Sequence, residues 1–254
     1  MKTRIILCGA CGKMGGNVLS LLENDTEAVA VCGVDLYPKE IGIPVYKDFA
    51  SIQEKADVII DFSSAENLQE RLEYAKTHKL GIVLASTGFN ADNLAMIDEY
   101  AKSVAIFKTA NLSLGINVMQ ALCKLCAQAL GDNFDVEIIE KHHNLKKDAP
   151  SGTALMLADS VNEAFGNTKE YVDGRSGNVG ARKKSEIGMH AVRGGTIVGE
   201  HEVMFAGEDE IITITHSARS KRVFAAGAIR AAKFLKGKKA GVYAMKDLLA
   251  EENK

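Results

Sequence analysis

The sequence predicts an α/β protein in two parts: a parallel-sheet domain first, then a smaller α+β domain with a mixed sheet. Three observations predict it. Short, wholly apolar strand-like runs alternate with helical patterns as far as Phe107. A glycine turn joins the first strand to the first helix. Beyond Lys184, three strand-like runs follow one another with no helix between them.

In the first part, Arg4–Cys8 is an apolar run ending at glycine, and Met14–Glu23 carries Val18, Leu21 and Leu22 at helical spacing. Ala28–Val34 is a buried-strand pattern closed by Asp35. Val58-Ile59-Ile60 reads as the third strand, Ala65–Thr77 as a helix, Ile82-Val83-Leu84 as a strand, Ala91–Lys102 as a helix and Ala105-Ile106-Phe107 as the last strand. The pattern changes near Asn111. Asn117–Leu130 is a long helix whose broad apolar face carries Val118, Leu122, Leu125 and Leu130. Phe134–Ile139 reads as a strand and Thr153–Phe165 as a helix. Asn167–Lys184 reads as a long polar surface loop. Glu186–Val192, Thr196–Phe205 and Glu210–His216 are the consecutive strands, with Gly194-Gly195 read as a hairpin turn and Gly207-Glu208-Asp209 as a second turn. Arg222–Leu235 is an alanine-rich helix.

Composition excludes several classes. With 31 Lys and Arg against 33 Asp and Glu, the net charge of −2 leaves no basic surface for nucleic acid. A 46% hydrophobic and 25% charged chain is globular, not disordered. No apolar run approaches the roughly 18 residues of a membrane span, and Ile5–Gly9 is too short for a signal-peptide core. The five cysteines do not form a disulfide framework. These features predict a protein of a reducing compartment, the cytoplasm, with no membrane or nucleic-acid partner.

Gly9-Ala10-Cys11-Gly12-Lys13-Met14-Gly15 lies between strand and helix. Glycine lets the backbone turn tightly and approach a ligand, and a helix N-terminus offers N–H groups to a pyrophosphate. Asp35 ends the second strand about 20 residues on, where a carboxylate accepts ribose hydroxyls. This context makes the domain Rossmann-like and predicts a dinucleotide. Asp35 is followed by Leu36 and the nearest cation is Lys39, so NADH is expected to be preferred or at least accepted.

The most informative stretch runs from Glu140 to Ala154: Glu140-Lys141-His142-His143-Asn144-Leu145-Lys146-Lys147-Asp148-Ala149-Pro150-Ser151-Gly152-Thr153-Ala154. Ser151, Gly152 and Thr153 sit at a helix entry and present N–H and hydroxyl groups to an anion. His142, His143, Lys146 and Lys147 place titratable groups nearby, and Lys141, Lys146 and Lys147 concentrate positive charge. A carboxylate substrate with a proton-transfer step uses this combination. The bland readings are a packed and an exposed histidine, a solvated lysine pair and a helix cap. The His-His spacing and the lack of a CxxC partner set argue against zinc, so no metal is expected.

This segment resembles the E-x-H-H-x-x-K-x-D-A-P-S-G-T-A signature of the 4-hydroxy-tetrahydrodipicolinate (dihydrodipicolinate) reductase family. The likeness extends along nearly the whole chain. Gly9–Gly15 is similar to the family's G-x-x-G-[RK]-M-G turn, Asp61-Phe62-Ser63 to D-F-[ST], Ala85-Ser86-Thr87-Gly88 to G-T-T-G, and Thr109–Gly115 to A-x-N-[FLM]-S-x-G; Val198–His201 and Thr215–Ala218 also fit. The resemblance implies a pyridine-nucleotide reductase of lysine and diaminopimelate synthesis, using NADH and/or NADPH on a small heterocyclic dicarboxylate. His142 would be the acid/base and Lys146 a second proton donor. His143, Gly152 and Thr153 would hold substrate carboxylates. Gly9, Ala10, Cys11, Gly12, Lys13, Met14, Asp35, Ala85, Ser86, Thr87, Thr109, Ala110, Asn111 and Leu112 would line the cofactor site. It also implies a homotetramer built on the second domain's sheet, and a nucleotide domain of residues 1–112 and 222–254 around a substrate domain of 113–221. Ala85-Ser86 in place of Gly-Thr and Cys11 in place of Gly or Ala depart from the pattern without removing a needed group; Lys221 or Arg222 fills a basic position near the junction. The alternatives are another NAD-dependent dehydrogenase and a nucleotide-binding regulator, which has no use for a proton donor beside an anion site.

Two signals carry no function. Cys123-Lys124-Leu125-Cys126 lies within a helix and reads as core. Arg182-Lys183-Lys184 has no aromatic platform and reads as a solvated loop.

Overall fold

The computed structural model describes residues 1–252. Its strands and helices run β1 (Thr3–Cys8), α1 (Lys13–Leu22), β2 (Ala28–Val34), β3 (Val45–Tyr46), β4 (Val58–Asp61), α2 (Leu68–His78), β5 (Gly81–Leu84), α3 (Ala91–Tyr100) and β6 (Ala105–Lys108). Next come α4 (Leu114–Leu130), β7 (Asp135–His142), α5 (Gly152–Ala164), β8 (Glu170–Asp173), β9 (Glu186–Arg193), β10 (Gly199–Ala206) and β11 (Ile211–Ala218). The chain closes with α6 (Arg222–Leu235), β12 (Gly241–Tyr243) and α7 (Met245–Glu252). It divides into two compact units, Met1–Ser113 with the chain from Lys221 onward, and Leu114–Ser220.

The first unit is built on a seven-stranded sheet of order β12-β6-β5-β4-β1-β2-β3, parallel throughout. β4 and β5 are buried on both faces, which is why their sequences are continuously apolar. Alternation along β1 sends Ile5 and Leu7 to one core and Ile6 and Cys8 to the other. The first core is closed by α1, α6 and α7, the second by α2 and α3. α6 packs on β4 and β5. Its alanines explain how it comes so close: Ala225, Ala228, Ala231 and Ala232 are all fully buried. β3, β12 and α7 have no counterpart among the sequence expectations; two- and three-residue strands are too short to show a period, and α7 spans barely two turns.

The second unit carries a mixed five-stranded sheet of order β11-β10-β7-β9-β8. β7 pairs antiparallel with β10 and parallel with β9; β10 pairs antiparallel with β11, and β8 runs parallel to β9. Val136 and Ile138 of β7 face the core that α4 and α5 cover.

The expectations for this unit need four corrections. Gly194-Gly195 is not a hairpin turn: β9 and β10 lie on opposite sides of β7. The glycines instead pass the end of β7, where Gly194 N donates to His142 O (2.9 Å) and Asn144 N to Gly195 O (3.2 Å). The expected apolar face of α4 is the wrong one except at Leu130, which packs against the core. Val118, Leu122 and Leu125 are exposed, and Ile116, Met119, Cys123 and Ala127 face the core. Both stripes are apolar, and the smaller Cys123 and Ala127 allow α4 to sit against α5. The 167–184 segment is not all loop, because it contains edge strand β8. Nor is Arg182 solvated. It donates to Glu137 (2.8 Å), Asp135 (3.0 Å) and three backbone carbonyls. With Arg175 and His190 it overcomes the burial of Glu137 and holds that carboxyl down to about 2.

Candidate functional site

In the first unit, Gly9 follows β1 with φ +72°, and a Cβ there would meet Phe62 O at 3.0 Å. Gly12 is the N-cap of α1. No side chain caps the helix and no acidic residue sits in its first turn, so the Lys13 and Met14 end is left as a positive dipole end. Gly15 lets α1 lie on the turn: a Cβ there would be 2.3 Å from Ala10 O. Asp35 ties the turn to β2. Its carboxylate accepts from Cys11 N (3.0 Å) and Tyr37 N (3.0 Å), leaving further lone pairs on each oxygen. A cavity of about 290 Å³ beside it is lined by Gly9, Asp35, Tyr37, Lys47, Ser63 and Arg71, among others.

The other first-unit candidates end strands of the same sheet. Ala85 N donates to Asp61 O (2.9 Å) just past β5. The Ser86 hydroxyl beside it is buried with no hydrogen-bond partner among the described residues. Thr87 and Ala110 are exposed. Thr109 Oγ1 donates to Asn111 O (3.1 Å), and Asn111 Oδ1 accepts from Ser113 N (2.8 Å), which folds the turn after β6. Leu112 is buried against α6, its carbonyl at the position a Cβ on Gly227 would take.

In the second unit, β7 runs three residues beyond its expected end and carries Glu140, Lys141 and His142 on the sheet. Alternation separates them. Glu140 and His142 are buried on the α5 side, whereas Lys141 belongs to the opposite face, where it pairs with Glu200 at 3.3 Å. Lys141 is therefore not part of the positive cluster expected around Lys146. His142 Nδ1 lies 2.5 Å from Glu140 Oε2, and its ring meets the His201 ring edge-on at 5.2 Å. Burial alone would raise the Glu140 carboxyl; hydrogen bonds from Arg193 and His142 outweigh it and hold it below its ordinary value. His143 is half-buried. Lys146 pairs with Asp148 at 2.8 Å, and this bond lowers the Asp148 carboxyl.

Ser151 begins α5. Its Oγ accepts from Ala154 N (3.2 Å) and shares a hydrogen bond with His201 Nε2 (3.1 Å), while its N–H donates to Glu140 (3.0 Å). Gly152 and Thr153 form the exposed and half-buried first residues of the helix. Burial, reinforced by His142, pushes His201 down to about 4. Sequence reasoning missed the roles of Glu140, Arg193 and His201 and the bonds of Ser151 to Glu140 and His201, whereas the helix cap at Ser151 was the bland reading. Glu140 and Ser151 stand in the quoted signature; Arg193 is 53 residues from Glu140, with nothing local to mark the pairing. Among the described residues no His, Cys, Asp or Glu cluster forms a metal site.

Comparison with known proteins agrees with these two halves. Residues 3–112 match the family model for the N-terminus of dihydrodipicolinate reductase, and residues 115–249 match that for its C-terminus. The chain is 50% identical over 249 residues to the 4-hydroxy-tetrahydrodipicolinate reductase of Caldanaerobacter subterraneus, covering 98% of this chain and 99% of that one. It is 44% identical over 250 residues to the enzyme of that name from Clostridium tetani, covering 98% of each. In fold it is similar to a dipicolinate-bound dihydrodipicolinate reductase from Paenisporosarcina, with TM-score 0.77 and 24% identity over 96% of this chain and 98% of that one. It is more distantly similar to a probable dehydrogenase from Thermotoga maritima, with TM-score 0.61 and 14% identity over 99% of this chain and 97% of that one. Two family models that together span most of the sequence, and relatives of this identity over its full length, establish that the chain belongs to the dihydrodipicolinate reductase family.

Proposed function

We propose that this chain catalyses the NAD(P)H-dependent reduction of 4-hydroxy-tetrahydrodipicolinate to tetrahydrodipicolinate, with loss of water, in the diaminopimelate route to lysine. The observation that carries this reading is the single segment 140–154. It joins a buried carboxylate–imidazole pair to the exposed first residue of α5, Gly152, as proton transfer to a bound dicarboxylate requires.

The first unit fits a nicotinamide dinucleotide. The uncapped α1 start suits a pyrophosphate, Asp35 suits ribose hydroxyls, and the orphaned Ser86 hydroxyl is free to bond a ligand. We assign Gly9–Met14, Asp35, Ala85–Thr87 and Thr109–Leu112 to the cofactor. That group supplies two electrons and a hydrogen to the substrate ring. The residues of the chain position the ring and move protons. His142 keeps Nδ1 on Glu140, which leaves Nε2 to deliver a proton to the reduced ring. Lys146 offers a second proton and offsets substrate charge; His143, Gly152 and Thr153 hold the carboxylates, the latter two at the positive end of α5.

The same reading assigns residues 1–112 and 222–254 to the cofactor and 113–221 to substrate and assembly. It takes the protein to be a cytoplasmic homotetramer without nucleic-acid or membrane partners. Among the described residues no helix is long and apolar enough to cross a membrane. The sheet face opposite α4 and α5 carries Ile139, Val192 and Met204, which supports assembly there. Sedimentation tests it, with a monomer as the contrary result. For the activity, substrate is generated from pyruvate and aspartate semialdehyde by the upstream synthase and nicotinamide absorbance is followed. Oxidation that depends on every component is expected; none with either cofactor rejects the proposal.

A further inference from the structure

We propose that the Glu140–Arg193 pair is a positioning device that fixes the His142 tautomer and the start of α5 as one unit. The inference rests on the reductase reading for its kinetic consequence but not for its structural one.

Glu140 is 1% exposed, and both of its oxygens are occupied. Oε2 takes His142 Nδ1 at 2.5 Å and Arg193 Nη1 at 2.8 Å. Oε1 takes Arg193 Nη2 at 2.7 Å and Ser151 N at 3.0 Å. Arg193 reaches it from β9, where its register partner on β7 is His142. The same guanidinium donates to Asp148 O at 2.6 Å, next to the carboxylate that holds Lys146. One ion pair thus touches the acid/base ring, the N-cap of the carboxylate-binding helix and the loop that carries Lys146.

The arrangement determines where protons sit. A carboxylate only accepts, so His142 Nδ1 must be the N–H. When Nε2 gives up its proton to substrate, the ring returns to the neutral Nδ1–H form without reorienting. His142 Nε2 has no hydrogen-bond partner among the described residues. It lies against Gly199, where an added Cβ would meet it at 3.1 Å. Arg193 holds the carboxylate in plane through both oxygens, a geometry lysine cannot reproduce.

Glu140→Gln tests the device with little change of shape. Arg193 and Ser151 together select the amide oxygen for the Oε1 position, which turns the amide NH₂ toward His142 Nδ1. The full-length chain is labelled with ¹⁵N, and His142 is assigned by its absence in His142→Gln. The neutral ring is expected to be Nδ1–H in the wild type and Nε2–H in Glu140→Gln. The variant's kcat should fall about a hundredfold, with unchanged NADH affinity and a cooperative melt as controls for the fold. Arg193→Lys, which leaves the Glu140 carboxylate and one positive charge in place, should keep the wild-type tautomer and lose less rate than Glu140→Gln. An Nδ1–H ring in a folded Glu140→Gln, with kcat within threefold of wild type, overturns the proposal. Should that variant not fold, Glu140→Ala/Arg193→Met, which removes both charges, is read by the same criteria. Failure of both to fold also overturns it, because the pair would then serve the fold alone. The tautomer spectrum needs no substrate, so an inactive wild type would reject the reductase reading while leaving this result readable.

Discussion

Replacing Gly15 by alanine probes the cofactor half of the site through one added methyl group. The new Cβ would be 2.3 Å from Ala10 O and 2.5 Å from Gly9 O, whereas real Cβ contacts essentially never fall under 3.0 Å. Both obstacles are backbone, so α1 must move off the turn by about 0.7 Å. Overpacking of this kind costs about 1–3 kcal/mol of stability. The same shift misplaces the N–H groups at the helix start. Loss of one charge-assisted hydrogen bond, about 1.5–3 kcal/mol, corresponds to a cofactor bound roughly 10- to 150-fold more weakly. Gly16 is the control: nothing lies within 4 Å of its Cβ position. Gly16→Ala should leave binding unchanged and stabilise the helix by about 0.5–1 kcal/mol. Fluorescence titration with NADH and thermal melting read both variants. NADH affinity within twofold of wild type in Gly15→Ala would refute the reasoning.

Three further outcomes follow from the geometry. Lys146→Ala should raise KM and lower kcat together, since Lys146 both binds and donates; an unchanged kcat/KM removes that role. Asp35 should make kcat/KM with NADH at least comparable to that with NADPH, and Asp35→Ala should weaken NADH; a much higher value with NADPH in the wild type defeats this. His201 is held at about 4 in the fold, by burial first and His142 second, against 6.5 when unfolded. The unfolded chain therefore binds the proton first, so stability is lost as pH falls from 6.5 toward 4, by up to about 3 kcal/mol. Denaturant melts across that window should slope in the wild type and flatten in His201→Gln; equal slopes contradict the assignment.

What the sequence made legible was local. β1, the glycine turn, α1, β2 and Asp35 follow one another within about 35 residues, and each leaves a period or a breaker that can be read directly. The 140–154 segment is contiguous too. The misreadings share a different origin, in that each depended on a distant neighbour. α4 offers two apolar stripes, and only the sheet and α5 decide which is buried. Gly194-Gly195 looks like a hairpin turn until β7 is placed between β9 and β10. Arg182 looks like a solvated cation until Glu137 arrives from β7, and nothing local marks Arg193 as the partner of Glu140. The alternation that separates Lys141 from His142 was readable in principle, but only once β7 was known to extend through both.

The central claim is tested most directly by following the cofactor's hydrogen into product. The complete mixture, with substrate generated in place, is supplied with NADH deuterated at both C4 positions, and the product is examined by mass spectrometry. One deuterium should be gained in the ring, dependent on this chain and strongly reduced with His142→Gln. A product without deuterium, or cofactor oxidation that proceeds without the heterocyclic substrate, would contradict it.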